Sequence, residues 1–164
     1  MIKNVKWFFV VLLLGSLISY SFVGKDTPTE GLTIGDKAPV FTIGPAGQQV
    51  RLKDLQGKYV LLSFWASYDA ASRQQNATLS HAVRQADNIE MVSVSFDEYQ
   101  SIFNESVRKD RLSASHCYVE LAGTDSDLYD TYRLKRGFRN YLLNADGVII
   151  AKDVTASELA SYLN

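Results

Sequence analysis

The sequence predicts an α/β domain: a mixed central sheet with helices on both faces and a small β-hairpin at its N-terminal edge. Two observations carry this. The continuous apolar runs "YVLLSFW" (59–65) and "IEMVSVSF" (89–96) read as strands buried on both faces, and the helical stretch between them makes a βαβ unit with a right-handed crossover. Near the C-terminus, "NYLLNADGVIIAKD" reads as an antiparallel hairpin around an Asp-Gly turn, followed by a capped terminal helix.

Taken in order, the chain opens on the basic "MIKNVK" and the uncharged apolar run from Trp7 to Val23. A basic start before an apolar stretch is the pattern of an export signal. The run is also close to the length of a short membrane anchor. Residues 1–23 are thus expected to be a signal peptide or an N-terminal membrane anchor, which places the folded part in the periplasm or cell envelope. Contact with a membrane is expected only through that segment. The polar "GKDTPTEGLT" (24–33) reads as a linker and 34–164 as one domain.

Within the domain, "PVFTIGPAGQQVRLKDL" reads as a short hairpin. From Ala70 to Ala86 the pattern is helical, with Leu79, Val83 and Ala86 as its buried stripe. A second helix, about Glu98 to Arg111, is expected to turn Tyr99, Ile102, Phe103 and Val107 to the core. "HCYVEL" reads as a short strand and "SDLYDTYRL" as a short helix capped by Ser126 or Asp125. "TASELASYL" carries Thr155 and Glu158 at capping-box spacing.

The 164 residues are 46% hydrophobic and 21% charged, a globular profile with enough chain for a real core. Of the 17 basic residues, Lys3 and Lys6 fall in the first 24, leaving 15 against 18 acidic. That balance argues against a nucleic-acid binder. The runs "VRKDR" and "YRLKRGFR" are locally positive; they read as a solvated helix face and loop. No cofactor motif is present and no metal site is expected. "DSDLYD" lacks the glycine and the final Glu of a calcium loop.

There is one cysteine, Cys117. A single Cys closes no internal disulfide and cannot pass two electrons between the chain's own thiols.

Several motifs now line up in order: "IGDKAPVFTI", "LKDLQGKYVLLSFWAS", "VSVSFDE" and "YLLNADGVII". Over about Ile34 to Leu163 the sequence resembles the thioredoxin-like envelope disulfide oxidoreductases of TlpA/ResA type, which implies the thioredoxin fold. In that family a Trp-Cys-x-x-Cys turn follows the first buried strand. Here the turn reads Tyr68-Asp69-Ala70-Ala71-Ser72, with Asp69 and Ser72 at the two cysteine positions. Counting back from Asp146 and Gly147 puts Phe138 at the family's cis-proline position. A non-proline cis bond costs about 2.5–4 kcal/mol, so a trans loop is expected.

Asp69 reads as a helix cap. Capping is worth about 1 kcal/mol over Ala, and a helix N-terminus stabilises an anion, which outweighs a role for Asp69 in proton transfer. Ser72 reads as a first-turn structural serine, because a nucleophile needs an adjacent base and neither His81 nor His116 is placed to serve it. Cys117 is expected to be an inert core thiol. Catalytic residues are therefore expected to be none.

Tyr68 and Phe138 flank the position where the resembled family receives polypeptides. They are read either as binding anchors or as rings packed on each other in the vacated space. The resulting expectation is a redox-inactive protein binding a polypeptide or envelope partner through Tyr68, Asp69 and Phe138. The alternatives are a thiol-disulfide oxidoreductase or peroxidase-like protein acting through Cys117 with a partner thiol, and a structural subunit of an envelope assembly. The sequence leaves the oligomeric state open.

Overall fold

The structure, a computed structural model, describes residues 27–45, 48–113 and 116–163. The segment read as signal or anchor lies outside the described residues, as do the first three residues of the expected linker. Among the described residues no helix is long and apolar enough to cross a membrane.

The elements follow the expected order. A two-stranded antiparallel pair, β1 (Thr42–Ile43) and β2 (Val50–Arg51), precedes the long strand β3 (Tyr59–Trp65). Helix α1 (Ala70–Val83) leads to β4 (Ile89–Ser95), helix α2 (Gln100–Lys109) to β5 (Cys117–Val119). After the short α3 (Asp127–Thr131) come β6 (Asn140–Leu143), β7 (Ile149–Lys152) and α4 (Ala156–Leu163). The main sheet has the order β5-β4-β3-β6-β7. β3 pairs in parallel with β4 and β4 with β5, whereas β6 runs antiparallel to both β3 and β7.

Alternation along β3 distributes the core. Val60, Leu62 and Phe64 face the N-terminal pair, α3 and the buried rings of Tyr129, Tyr132 and Tyr141. Leu61 turns to the opposite face, against Leu79 of α1 and Leu159 of α4, and Trp65 meets Phe103 of α2. Because side chains on successive strand residues point to opposite faces, a strand apolar at nearly every position is what a two-sided core requires.

Local signals act where expected. Ser126 is the cap of α3, accepting the Tyr129 N–H at 3.1 Å. Thr155 N–H donates to Glu158 Oε2 at 2.8 Å, and the Glu158 N–H returns to Thr155 Oγ1 at 3.3 Å. Gly147 supplies the left-handed residue of the β6–β7 turn with φ of 78°.

Three expectations are corrected. α1 stops at Val83, because Gln85 and Ala86 donate back only three residues and tighten into a turn. Its fully buried positions are Ser72, Asn76, Leu79 and Ser80, whereas Val83 and Ala86 are half-buried. On α2, Tyr99 is 63% exposed and Ile102 47%; Tyr99 precedes the helix in extended backbone. The helix buries only a narrow stripe, Phe103, Ser106 and the half-buried Val107, packed at Trp65 of β3 and at Cys117 and Val119 of β5.

Residues 29–33 are tied to the domain. Lys37 N–H donates to Thr29 O at 2.8 Å, Gly31 N–H to Lys37 O at 3.0 Å, and Ala38 N–H to Gly147 O at 3.0 Å. This cluster sits at the β6–β7 turn. Leu143 pairs with Val60, and Gly57 N–H donates to Ala145 O at 2.9 Å. The chain therefore joins the domain at the starting end of β3, opposite the end where Trp65 leads into α1.

Candidate functional site at the head of the first long helix

The turn from β3 into α1 is built from short polar side chains. Asp69 is the N-cap of α1: its carboxylate accepts the Ser72 N–H at 2.7 Å, and its carbonyl accepts the Arg73 N–H at 3.0 Å and the Ser72 hydroxyl at 3.2 Å. Ser72 is buried, with its hydroxyl occupied by that carbonyl. Arg73 forms a two-point ion pair with Asp110, Nε to Oδ2 at 2.7 Å and Nη2 to Oδ1 at 2.9 Å, which fixes the first turn of α1 to the end of α2.

Beneath the turn lies Asp97, which follows β4 and is 2% exposed. It accepts the Ser67 N–H at 3.0 Å, the Ser67 hydroxyl at 2.6 Å and the Ser95 hydroxyl at 2.6 Å. A buried carboxylate is tolerable only with such donors. Its position at the end of β4 was legible in "SFDE"; its long-range partner Ser67 was not. A second polar chain runs under α1, where Trp65 Nε1–H donates to Ser93 Oγ at 2.9 Å and Ser93 donates to Asn76 Oδ1 at 2.8 Å. Asn76 Nδ2, also buried, has no hydrogen-bond partner.

The surface of the turn is aromatic and acidic. Tyr68 is 66% exposed and meets Phe138 with ring centroids 6.2 Å apart, tilted by 59°. Phe138 is half-buried, stacked on Phe96 at 6.0 Å and edge-on to Tyr129 at 6.2 Å. The two rings pack on each other, as the second of the two readings expects, with Phe138 half-buried and Tyr68 exposed. The Tyr68 hydroxyl is held above the usual tyrosine range, first by partial burial, then by Tyr129 and the carboxylates of Asp97, Glu98 and Asp69. Beside the pair, a groove of about 600 Å³ runs between α1 and the start of α4, with Asp69, Gln75, Leu79, Phe138 and Thr155 among its walls. Among the described residues there is no cis peptide bond, so the Phe138 loop is trans as expected.

Cys117 is elsewhere. It lies on the edge strand β5, opposite Ser93 of β4, which itself pairs with Ser63 of β3; two strand spacings, about 10 Å, separate it from β3. The thiol is buried among Trp65, Phe103 and Leu112. Burial pushes it up, while a hydrogen bond with Ser93 and the charge of Arg84 pull the other way. His81 is exposed on α1, and His116 is exposed with Nδ1 3.8 Å from Glu90 Oε2. Among the described residues, no three His, Cys, Asp or Glu side chains come together as a metal-binding group.

Comparison with known proteins agrees with this architecture. Residues 34–152 match the AhpC/TSA family. A thioredoxin-like protein from Parabacteroides distasonis superposes with a TM-score of 0.75 at 40% identity, covering 84% of this chain and 98% of that one. The thioredoxin domain of a Bacteroides vulgatus thiol-disulfide oxidoreductase superposes with a TM-score of 0.71 at 22% identity, covering 82% and 100%. A thiol-disulfide oxidoreductase ResA of Bacillus cereus is 24% identical over 170 residues, 98% of this chain and 96% of its own. The fold is the thioredoxin fold.

Proposed function

The chain belongs to the AhpC/TSA family, and from that premise we propose that it is a redox-inactive envelope member that binds a polypeptide through Tyr68, Asp69 and Phe138. The observation that carries this reading is the Asp69 carboxylate. It caps α1 and spends its oxygen on the Ser72 N–H, where the resemblance to the TlpA/ResA type expects the first cysteine. A thiolate there would draw on the same helix N-terminus; a carboxylate has no sulfur to offer to a disulfide.

Exchange through Cys117 is the weaker alternative. A buried thiol with raised proton affinity is a poor nucleophile, and the sequence supplies no second cysteine to resolve a mixed disulfide. Envelope location rests on the basic and apolar order of the first 23 residues. The binding half of the reading rests on an exposed Tyr68 beside the half-buried Phe138 and an open groove.

Reduction of a model protein disulfide by the full chain and its Cys117→Ser variant tests the first half. Both are expected at background. Robust turnover that persists in the variant would overturn the proposal. For the second half, a photo-cross-linker at position 68 is expected to capture extended polypeptides. Capture of one folded subunit in fixed ratio would support a structural role instead.

A further inference from the structure

The locally positive run "YRLKRGFR" is exposed at Arg133, Lys135 and Arg136, as expected, and it also borders a cavity. Arg133, Arg136 and Arg139 are spaced three apart, Arg136 in the 3₁₀ turn Leu134–Arg136 and the other two on either side of it. All three line one cavity of about 320 Å³, joined there by Lys152 of β7. Its size is at the lower end of ligand pockets, roughly 300–1,000 Å³. Tyr132 and Tyr141, each 1% exposed, also line it.

The charges in this cavity are unevenly balanced. Arg139 Nη1 is paired with Asp153 Oδ2 at 2.9 Å. Lys152 Nζ donates to Leu32 O at 2.9 Å and lies 5.6 Å from the Tyr141 ring centroid. Arg133 and Arg136, both exposed at the rim, have no carboxylate partner among the described residues. One wall carboxylate, Asp36, accepts the Thr33 N–H at 2.8 Å. The Tyr141 hydroxyl is held above the usual tyrosine range, first by burial and also by Asp153, with Arg139 and Arg133 pulling the other way. Arg133 also holds a left-handed backbone, φ 53° and ψ 40°, a conformation unfavourable to a residue with a Cβ.

We propose that this cavity binds a small phosphate-bearing molecule, its dianion held by the guanidinium forks of Arg133 and Arg136 with Lys152 behind them. Two unpaired forks match a doubly charged group with several acceptor oxygens better than a single carboxylate. Asp36 on the wall repels a bare anion and favours a ligand that also carries a hydroxyl or amine donor. The site is separate from the turn at Asp69 and shares no wall residue with the groove beside it.

The test is a calorimetric titration of the full chain with glycerol phosphate in phosphate-free, low-salt buffer. Saturable one-to-one binding is expected, weakened about tenfold or more by Arg136→Gln and by Arg133→Gly; the latter keeps the left-handed backbone at no steric cost. Lys135→Gln removes a charge from the same run, but Lys135 is paired with Asp130 and lies outside the cavity, so this variant is expected to bind as the parent does. Thermal melting of each variant confirms that it folds. Equal weakening in all three variants would overturn the proposal. Sedimentation with phosphatidate vesicles against phosphatidylcholine vesicles separates the sources of the phosphate. Selective retention assigns the site to a lipid headgroup, and soluble-ester binding without retention assigns it to a free phosphate ester. Failure of both overturns the site.

Discussion

Asp97 reaches back across the sheet to hold Ser67 by both its N–H, at 3.0 Å, and its hydroxyl, at 2.6 Å. The two residues are joined by no local segment; α1 and β4 separate them along the chain. This contact sets the path of the backbone just before Tyr68 and Asp69, so the geometry of the turn depends on a residue that contributes nothing to its surface.

Asp97→Ala should therefore be costly. It leaves the Ser67 and Ser95 donors without their buried acceptor, and removing an acceptor from buried groups costs about 1–3 kcal/mol or more when the acceptor is charged. We expect a loss of about 3 kcal/mol in urea unfolding. A loss under about 0.5 kcal/mol would mean that water replaces the carboxylate.

Restoring sulfur tests what the turn lacks. In the doubly substituted Asp69→Cys, Ser72→Cys chain, the two thiols stand at the cap and third helical residue of α1. Oxidised glutathione should close them into a disulfide, two electrons and two protons passing to glutathione, read as a mass loss of two hydrogens on the protein. Loss of the Asp69 cap should lower stability of the reduced form by about 1 kcal/mol. If no bridge closes, the backbone at the turn has departed from a geometry that permits one.

The aromatic pair should divide its roles. Phe138→Ala removes a ring stacked on Phe96 and edge-on to Tyr129 and is expected to cost about 2 kcal/mol of stability. Tyr68→Ala, at a largely exposed position, should change stability by under about 0.5 kcal/mol while reducing polypeptide capture. Unchanged capture in the Tyr68 variant would remove Tyr68 from the binding surface.

Stability should fall on the alkaline side. Burial raises the proton affinity of Tyr132, Tyr141 and Cys117 in the folded chain. Groups with raised values contribute their stability below their unfolded pKa, and lose it as pH rises and the unfolded chain gives up protons first. The decline should begin near the unfolded values, about 8.5 for Cys and about 10 for Tyr. Urea midpoints measured from about pH 7 to about 11, a window that brackets those values, should show it. Tyr132→Phe should flatten the slope while also losing the hydroxyl's 2.7 Å bond to Pro39 O.

Much of this was legible from local signals. The apolar run ending in Trp65, the Asp69 cap and the Thr155–Glu158 box each announce themselves within a few residues, because periodicity and capping are local physics. Relations that form only after folding were not legible. The buried stripe of α1 includes Ser72, Asn76 and Ser80; Asn76 is tolerated because Ser93, on another strand, donates to its carbonyl. Tyr99 and Ile102 look like core residues, yet Tyr99 precedes the helix in extended backbone and the buried stripe falls on Phe103 and Ser106. The cavity that Arg133, Arg136 and Arg139 border was not legible, because Lys152 joins them there from β7, beyond the intervening β6.

The pairing of Thr29 and Gly31 with Lys37, beside the β6–β7 turn, gives the molecule two unlike ends. Whatever holds the protein by the residues ahead of Thr27, whether a bead, a sensor chip or a bilayer, grips it at one pole. The seven residues of β3 then carry Tyr68 about 20 Å toward the other. Tethered from that side, the protein holds Tyr68 and Phe138 away from the point of attachment.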